Sequence, residues 1–182
     1  MSSHATLPVP GLEASVTFLV RHGNCSSRDE LTTNGKRVLT STARYMLDRL
    51  TILGLPCGDI KFKSSQYLRT HRTAGYIAEI MEIEPESVEP LLGVGAFKES
   101  KGLEVMKYLL DNIRVSCFVS HLEDLQHLDE ASRFILGDQK LPTGEGSCVE
   151  VHKNASRLLI PVSCFNGGNL ETTVLVNPST PQ

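Results

Sequence analysis

The most informative stretch of this chain is Ser-Val-Thr-Phe-Leu-Val-Arg-His-Gly, residues 15–23. Its first part is a short apolar run of strand-forming residues, which predicts a buried strand over 16–20. The run ends abruptly in Arg21 and His22, and Gly23 then frees the backbone. A histidine held at the end of a strand, beside an arginine, is well placed to bind an anion.

Two later segments repeat this arrangement of a strand that delivers a basic side chain where it ends. A second strand is predicted over 60–62, and Arg69 follows it in the first turn of a helix. A third, nearly continuous apolar strand over 115–119 leads to His121. Because the C-terminal ends of parallel strands meet at one edge of a sheet, we expect two arginines and two histidines to lie together there.

Helical periodicity and turn residues outline the remaining elements. Helices are predicted from about residue 33 to Gly54, after a cap at Ser64 or Ser65, over about 103–113 and from 122 to Gly137, and strands over 148–151, 158–162 and 172–176. Pro161 predicts that its strand lies at an edge or contains a bulge. We expect one domain over residues 15–176, with a flexible leader over 1–14 and a polar tail over 177–182.

The order of these elements predicts the fold class. Alternating strands and helices, followed by a strand-rich end, predict an α/β protein built as a three-layer α/β/α sandwich. Its central sheet is expected to be mostly parallel, with an antiparallel edge. The region 143–176 is expected to form these last strands and could supply walls of a substrate site.

Composition restricts the classes of function. The chain has 182 residues and a formal net charge of −3, which argues against a general nucleic-acid binder. No apolar run reaches the length of a membrane span, and no secretory signal is recognised at the N-terminus. The five cysteines are an odd number without paired spacing, which is typical of a reducing compartment. We therefore expect a cytoplasmic protein without nucleic-acid or membrane partners.

Other motifs for phosphate or metal chemistry fail on the sequence. A cysteine phosphatase needs Cys-x5-Arg, and no cysteine has an arginine six residues later. The glycines near residue 93 fail the Walker pattern, because its second glycine would fall at Lys98. His121 and His127 are six residues apart and do not share a helical face, which disfavours zinc. We expect neither a metal nor an organic cofactor.

Three blocks of the sequence resemble the signature blocks of the histidine phosphatase superfamily, in the same order. They are Leu-Val-Arg-His-Gly at 19–23, Ser-Ser-Gln-Tyr-Leu-Arg-Thr at 64–70 and Val-Ser-His-Leu at 119–122. The chain is most similar to the SixA-type phosphohistidine phosphatases, and residues 31–35 add to that match. The resemblance covers about residues 16–151 and implies the phosphoglycerate mutase-like fold, without a lid insertion.

The resemblance implies a covalent mechanism. His22 would be the nucleophile that is transiently phosphorylated, and Arg21, Arg69 and His121 would hold the phosphoryl oxygens. For this chemistry His22 needs a neutral ring nitrogen, with its other nitrogen donating to a backbone carbonyl. His121, which would face phosphate, is expected to be protonated.

Additional residues are expected to contact the substrate. These are Gly23, Asn24, Arg28 and Leu122. For Asn24 a turn-forming role is an equal alternative, and Arg28 is alternatively a solvated loop arginine. Gly144, Glu145 and Gly146 are interpreted as a turn only.

The general acid of the resembling family has no clear counterpart in this sequence. Glu89, Glu99 and Glu123 are candidates. Expulsion of an alkoxide normally needs a proton donor, whereas an imidazole leaves more easily, so a missing acid favours a P–N substrate. The short gap between the second and third blocks favours a protein substrate over a small metabolite.

These observations predict a metal-free phosphatase that removes phosphate from phosphohistidine on a phosphotransfer protein. A phosphatase for small phosphoesters is one alternative. A module of the same fold that binds phosphate without turnover is the other.

Overall fold

The computed structural model describes residues 12–84, 89–91, 115–154 and 159–175. These residues form seven strands, three α-helices and a short 3-10 helix at Cys57–Asp59. In chain order they are β1 (Leu12–Arg21), α1 (Thr33–Leu53), β2 (Lys61–Ser65), α2 (Leu68–Ile80), β3 (Glu89–Leu91), β4 (Ser116–Ser120), α3 (Leu122–Leu136), β5 (Cys148–Asn154), β6 (Leu159–Asn166) and β7 (Glu171–Val174).

The seven strands form one mixed sheet in the order β3-β2-β4-β1-β5-β6-β7. The four strands from β3 to β1 are mutually parallel. From β1 onward each neighbouring pair is antiparallel, which gives the sheet an antiparallel edge of three strands. The predicted α/β class with parallel strands and an antiparallel edge is confirmed.

Each face of the sheet is covered by helices. Phe18 and Phe62 are buried on the face covered by α1 and α2, whereas Leu19 and Phe118 are buried with Leu125 of α3 on the other face. Successive residues of a strand point to opposite faces, so β1 contributes to both layers. Full burial of one such side chain stabilises the fold by about 1.5–3 kcal/mol.

Helix α1 has well-defined ends. The Thr32 hydroxyl accepts from the Gly35 N–H at 3.0 Å, and Gly54 ends the helix in the left-handed conformation with φ 67°. A Cβ on Gly35 would lie 2.3 Å from the carbonyl oxygen of Asn24. Only glycine therefore allows the loop after β1 to approach the start of α1 so closely.

Some predicted boundaries differ from the structure. Strand β1 begins at Leu12, so the last residues of the predicted leader lie in a strand. Strand β2 runs to Ser65, so Ser64 and Ser65 do not cap α2, whose cap is Tyr67. The reason is that both serines are completely buried and their side chains bond within the fold.

The bulge predicted at Pro161 is present. Opposite β5, the register shifts so that Glu150 pairs with Ser163 and Val151 pairs with Pro161. Strand β3 was not expected from the sequence. The helix predicted over 103–113 lies outside the described residues. So does much of the segment between the second and third blocks, in which no lid insertion was expected. Among the described helices, none is both long and apolar enough to cross a membrane.

Candidate active site

The ends of three neighbouring parallel strands bring the predicted basic residues together. Arg21 ends β1, His121 follows β4, and Arg69 is the second residue of the helix after β2. The ring centroids of His22 and His121 are 5.4 Å apart, and both arginines interact electrostatically with both histidines. The predicted convergence of two arginines and two histidines is confirmed.

The His22 ring is oriented by its own chain. Its Nδ1 lies 3.0 Å from the carbonyl oxygen of Gly23, so Nδ1 carries the proton and donates it. The lone pair of the neutral ring is therefore on Nε2. Burial, followed by the positive charges of Arg69 and Arg21, lowers the pKa of His22 against the opposing effects of the Gly23 bond and Glu145. The expectation of a neutral His22 with a backbone-bound nitrogen is confirmed.

Gly23 connects His22 to helix α2. Its N–H donates to the Thr73 hydroxyl at 3.1 Å, and that hydroxyl donates to the carbonyl of Arg69 at 2.8 Å. A Cβ on Gly23 would lie 2.7 Å from Cδ1 of the buried Leu39. A larger residue would therefore displace the backbone that holds the His22 ring.

Neighbouring groups hold part of the guanidinium group of each arginine. Arg21 donates from Nη1 to the carbonyl of Thr143. Arg69 lies over the Tyr67 ring at 5.5 Å, and its Nη1 is 4.0 Å from the Asp29 carboxylate. Within the described residues, the buried Nε atoms of both arginines have no hydrogen-bond partner. The arrangement thus has donors suited to an oxyanion.

His121 is buried in a polar network. Its Nε2 lies 3.0 Å from the Ser65 hydroxyl, and its ring packs edge-on against Tyr67 at 5.0 Å. It is also the N-cap residue of α3, and its backbone N–H lies 3.5 Å from Oδ2 of the buried Asp124. Burial, followed by repulsion from His22 in its protonated form and from the two arginines, lowers the pKa of His121 to about 3.

His121 is therefore expected to be neutral in the protein as described, whereas the expectation of a protonated ring concerned His121 facing phosphate. A ring that is buried beside two guanidiniums is penalised for carrying a further positive charge.

Asn24 bonds to protein groups through its side chain and its backbone carbonyl. Its Oδ1 accepts from the Thr32 hydroxyl at 2.7 Å, and its backbone carbonyl accepts from the Thr32 N–H at 3.0 Å. Its Nδ2 donates to Oε2 of Glu145 at 2.7 Å. Asn24 thus links the loop after β1 to the start of α1, and its amide also positions a carboxylate.

The other expected site residues lie in different elements of the structure. Arg28 is exposed in the loop after β1, and its described contacts are made by its backbone, including the carbonyl that accepts from Arg72 at 3.1 Å. Leu122 and Glu123 are partly exposed in the first turn of α3. Glu89 is the first residue of β3, and Glu99 lies outside the described residues.

Glu145 is the site residue that sequence reasoning missed. The interpretation of Gly144, Glu145 and Gly146 as only a turn is incomplete, because the carboxylate reaches Asn24 and interacts electrostatically with His22. The turn precedes β5, which runs antiparallel to β1, so the start of β5 adjoins the end of β1. The sequence contains the strand and the turn but no signal for that pairing.

Cys25 lies beside the site without the features of a reactive thiol. Its Sγ is 3.3 Å from the carbonyl of Gly23, and burial raises the pKa of its thiol. Across the part of the chain that the structure describes, no group of three or more His, Cys, Asp or Glu side chains could hold a metal ion.

Comparisons with known proteins find similar structures but no similar sequence family. No family model and no curated protein matches the sequence. The protein histidine phosphatase SixA, solved with tungstate, has a TM-score of 0.63 at 18% identity, over 86% of this chain and 99% of that one. SixA of Agrobacterium tumefaciens gives 0.58 at 14%, over 83% and 97%.

A phosphoglycerate mutase from Plasmodium falciparum is also similar, with a TM-score of 0.50 at 12% identity, over 80% of this chain and 87% of that one. Identities this low compare folds rather than activities. The chain therefore has the histidine phosphatase fold, which it shares with SixA and with phosphoglycerate mutase.

Proposed function

We propose that this protein is a phosphatase that forms a covalent phosphohistidine on His22. The observation that carries this proposal is the bond from Nδ1 of His22 to the Gly23 carbonyl. It leaves the lone pair of Nε2 for attack on phosphorus, and the lowered pKa of His22, caused first by burial, keeps that nitrogen unprotonated at neutral pH.

The charges around His22 suit a phosphoryl group. Arg21 and Arg69 supply donors beside the nucleophile, and fixed donors stabilise the charge that spreads over the equatorial oxygens during transfer. One protein of the same fold, SixA, is known in complex with tungstate, which is a tetrahedral oxyanion. We propose that Arg21, Arg69 and His121 contact the phosphoryl group, and that its negative charge raises the pKa of His121 on binding.

We further propose that the substrate carries a P–N bond, as phosphohistidine on a phosphotransfer protein does. Two described carboxylates lie near the arginines and His22, Glu145 and Asp29. Glu145 accepts from the Asn24 amide, and Asp29 lies beside the Arg69 guanidinium. Both contacts suit a base rather than a proton donor. An imidazole leaving group requires less help from a proton donor than an alkoxide does.

The reaction is proposed to need no metal, because the protein's own cations neutralise the phosphoryl charge.

A cytoplasmic location is proposed from the cysteines. All five are free thiols, and burial raises the pKa of Cys117, Cys148 and Cys164.

Release of phosphate from a phosphohistidine-bearing phosphotransfer domain tests this function. Wild-type protein and the His22→Ala variant are compared in the presence of EDTA, with p-nitrophenyl phosphate as a parallel substrate. We expect turnover of the phosphoprotein by the wild type and none by the variant. Faster turnover of small esters would overturn the substrate class, and phosphate binding without any turnover would overturn the enzymatic function.

A further inference from the structure

We propose that Glu145 is the general base that activates the water for hydrolysis of the phosphohistidine on His22. This inference rests on the proposed function and adds the residue responsible for its second half. It concerns the turn before β5, between Thr143 and Cys148, which the sequence patterns leave without a role.

The backbone of this turn is hydrogen-bonded to the backbone of Arg21 and His22. The N–H of Gly146 lies 3.2 Å from the carbonyl oxygens of both Arg21 and His22. The Arg21 N–H donates in turn to the carbonyl of Ser147 at 2.9 Å. Glu145 is therefore held in a fixed position relative to His22 by backbone bonds on its C-terminal side.

The conformation of the turn is fixed by close packing. Gly146 has φ 75°, which favours glycine, and its carbonyl accepts from the Thr42 hydroxyl at 2.7 Å. On the other side, a Cβ on Gly167 would lie only 2.5 Å from the carbonyl oxygen of Glu145. Buried neighbours on both sides thus hold the residue that carries the carboxylate.

The side chain is directed into the site by Asn24. The amide of Asn24 donates to Oε2 of Glu145 at 2.7 Å, and Thr32 fixes that amide through its Oδ1. Among the described residues, Oε1 of Glu145 has no hydrogen-bond partner, so it can accept from a water. The carboxylate is close enough to His22 to oppose, as the smallest of several contributions, the lowering of its pKa by burial.

The proposed step balances as follows. A water oxygen forms a bond to phosphorus while the bond between phosphorus and Nε2 of His22 breaks, and the bonding electron pair returns to Nε2. The proton of the water moves to the Glu145 carboxylate. That proton is then released to solvent with the departing inorganic phosphate, which restores the carboxylate.

Single-turnover kinetics with a phosphohistidine-bearing phosphotransfer domain separate the two halves of the reaction. Phosphorylation of His22 and its later loss are followed in the wild type, Glu145→Gln and Glu145→Asp. The matched control is Glu30→Gln, an exposed glutamate in the loop after β1. We expect Glu145→Gln to slow loss of the phosphoryl group by about 10²–10⁴-fold, as is typical of a lost general base.

Formation of the intermediate should change little in Glu145→Gln, so that phosphorylated His22 accumulates. Glu145→Asp should retain part of the hydrolysis, and Glu30→Gln should match the wild type. Unchanged hydrolysis in Glu145→Gln would overturn the proposal. An equal slowing of both halves would also overturn it, because it would indicate a structural role through Asn24. A wild type that never becomes phosphorylated would instead refute the proposed function, and this inference with it.

Discussion

The Nδ1 atom of His22 lies 3.0 Å from the carbonyl oxygen of the next residue, Gly23. A carbonyl can only accept, so this contact assigns the proton to Nδ1 and the lone pair to Nε2. The orientation is retained because the Gly23 N–H is bonded to Thr73. The backbone thus selects Nε2 as the ring nitrogen that carries the lone pair.

Nitrogen-15 NMR of the imidazole rings checks this assignment. We expect the Nδ1–H tautomer for His22 at neutral pH. Since burial first, and then two arginines, lower its pKa, His22 should titrate below its ordinary value of 6.5. The nucleophilic form is therefore present above that lowered pKa and is lost as the pH falls through it. His121, with a pKa of about 3, should remain neutral at pH 5. Titration of His22 above 6.5 would contradict this assignment.

Replacement of Arg69 should weaken anion binding. A hydrogen bond to a charged group contributes roughly 1.5–3 kcal/mol, so Arg69→Met should reduce the affinity for inorganic phosphate by about 10- to 150-fold. Isothermal titration calorimetry measures this change. Arg37→Met, an exposed arginine of α1, is the control and should bind phosphate as the wild type does. Equal affinity in both variants would remove Arg69 from the phosphate site.

The contact between Asn24 and Glu145 predicts a specific incompatibility. Asn24→Asp would place two carboxylate oxygens at the 2.7 Å separation now occupied by a donor and an acceptor. We expect turnover to fall at least tenfold, because the Glu145 side chain is repelled. In a Glu145→Gln background the same substitution should cost much less, since the second carboxylate is gone. Additive losses in this double-mutant cycle would show that the two side chains act independently.

A buried ionic network should dominate the stability of the antiparallel side of the sheet. Glu150 is completely buried, and it accepts from Arg49, from His152 at 2.6 Å and from Ser163 at 2.8 Å. Burial would raise the pKa of Glu150, but the bonds from His152 and Arg49 prevail and lower it to about 2. Arg49→Met should cost roughly 3–5 kcal/mol, because it leaves a buried charge short of a partner.

Urea denaturation measures this loss, with Arg44→Met at an exposed position of α1 as the control. Because the folded pKa of Glu150 lies below its ordinary value, its contribution is fully present above pH 4.5 and declines as the pH falls toward 2. The loss from Arg49→Met should therefore shrink in acid. A loss that matches Arg44→Met at neutral pH would contradict this role.

The parallel half of the fold could be predicted from the sequence because local patterns determine it. The apolar runs of β1 and β4 are continuous. Arg21 ends β1 and His121 follows β4, and the parallel arrangement brings both to one edge. The glycine that ends α1 and the bulge at Pro161 are also local signals, since glycine readily adopts a positive φ and proline cannot donate a hydrogen bond within a sheet.

The misjudged parts depend on tertiary contacts. Ser64 and Ser65 resemble helix caps in sequence, but both are buried strand residues, whose hydroxyls contact His71 and His121, respectively. The lowered pKa of His121 follows from its burial and then from the charges of its neighbours, which no motif records. Glu145 enters the site only because β5 pairs antiparallel with β1.

The most direct test of the central claim is the location of the covalent phosphoryl group. The protein is mixed with a phosphohistidine-bearing phosphotransfer domain, quenched in alkali to preserve the P–N bond, and mapped by mass spectrometry. We expect one phosphoryl group on His22, attached at Nε2, and none on the His22→Ala variant. Turnover without any label on His22, or a label on His121 instead, would contradict the covalent mechanism.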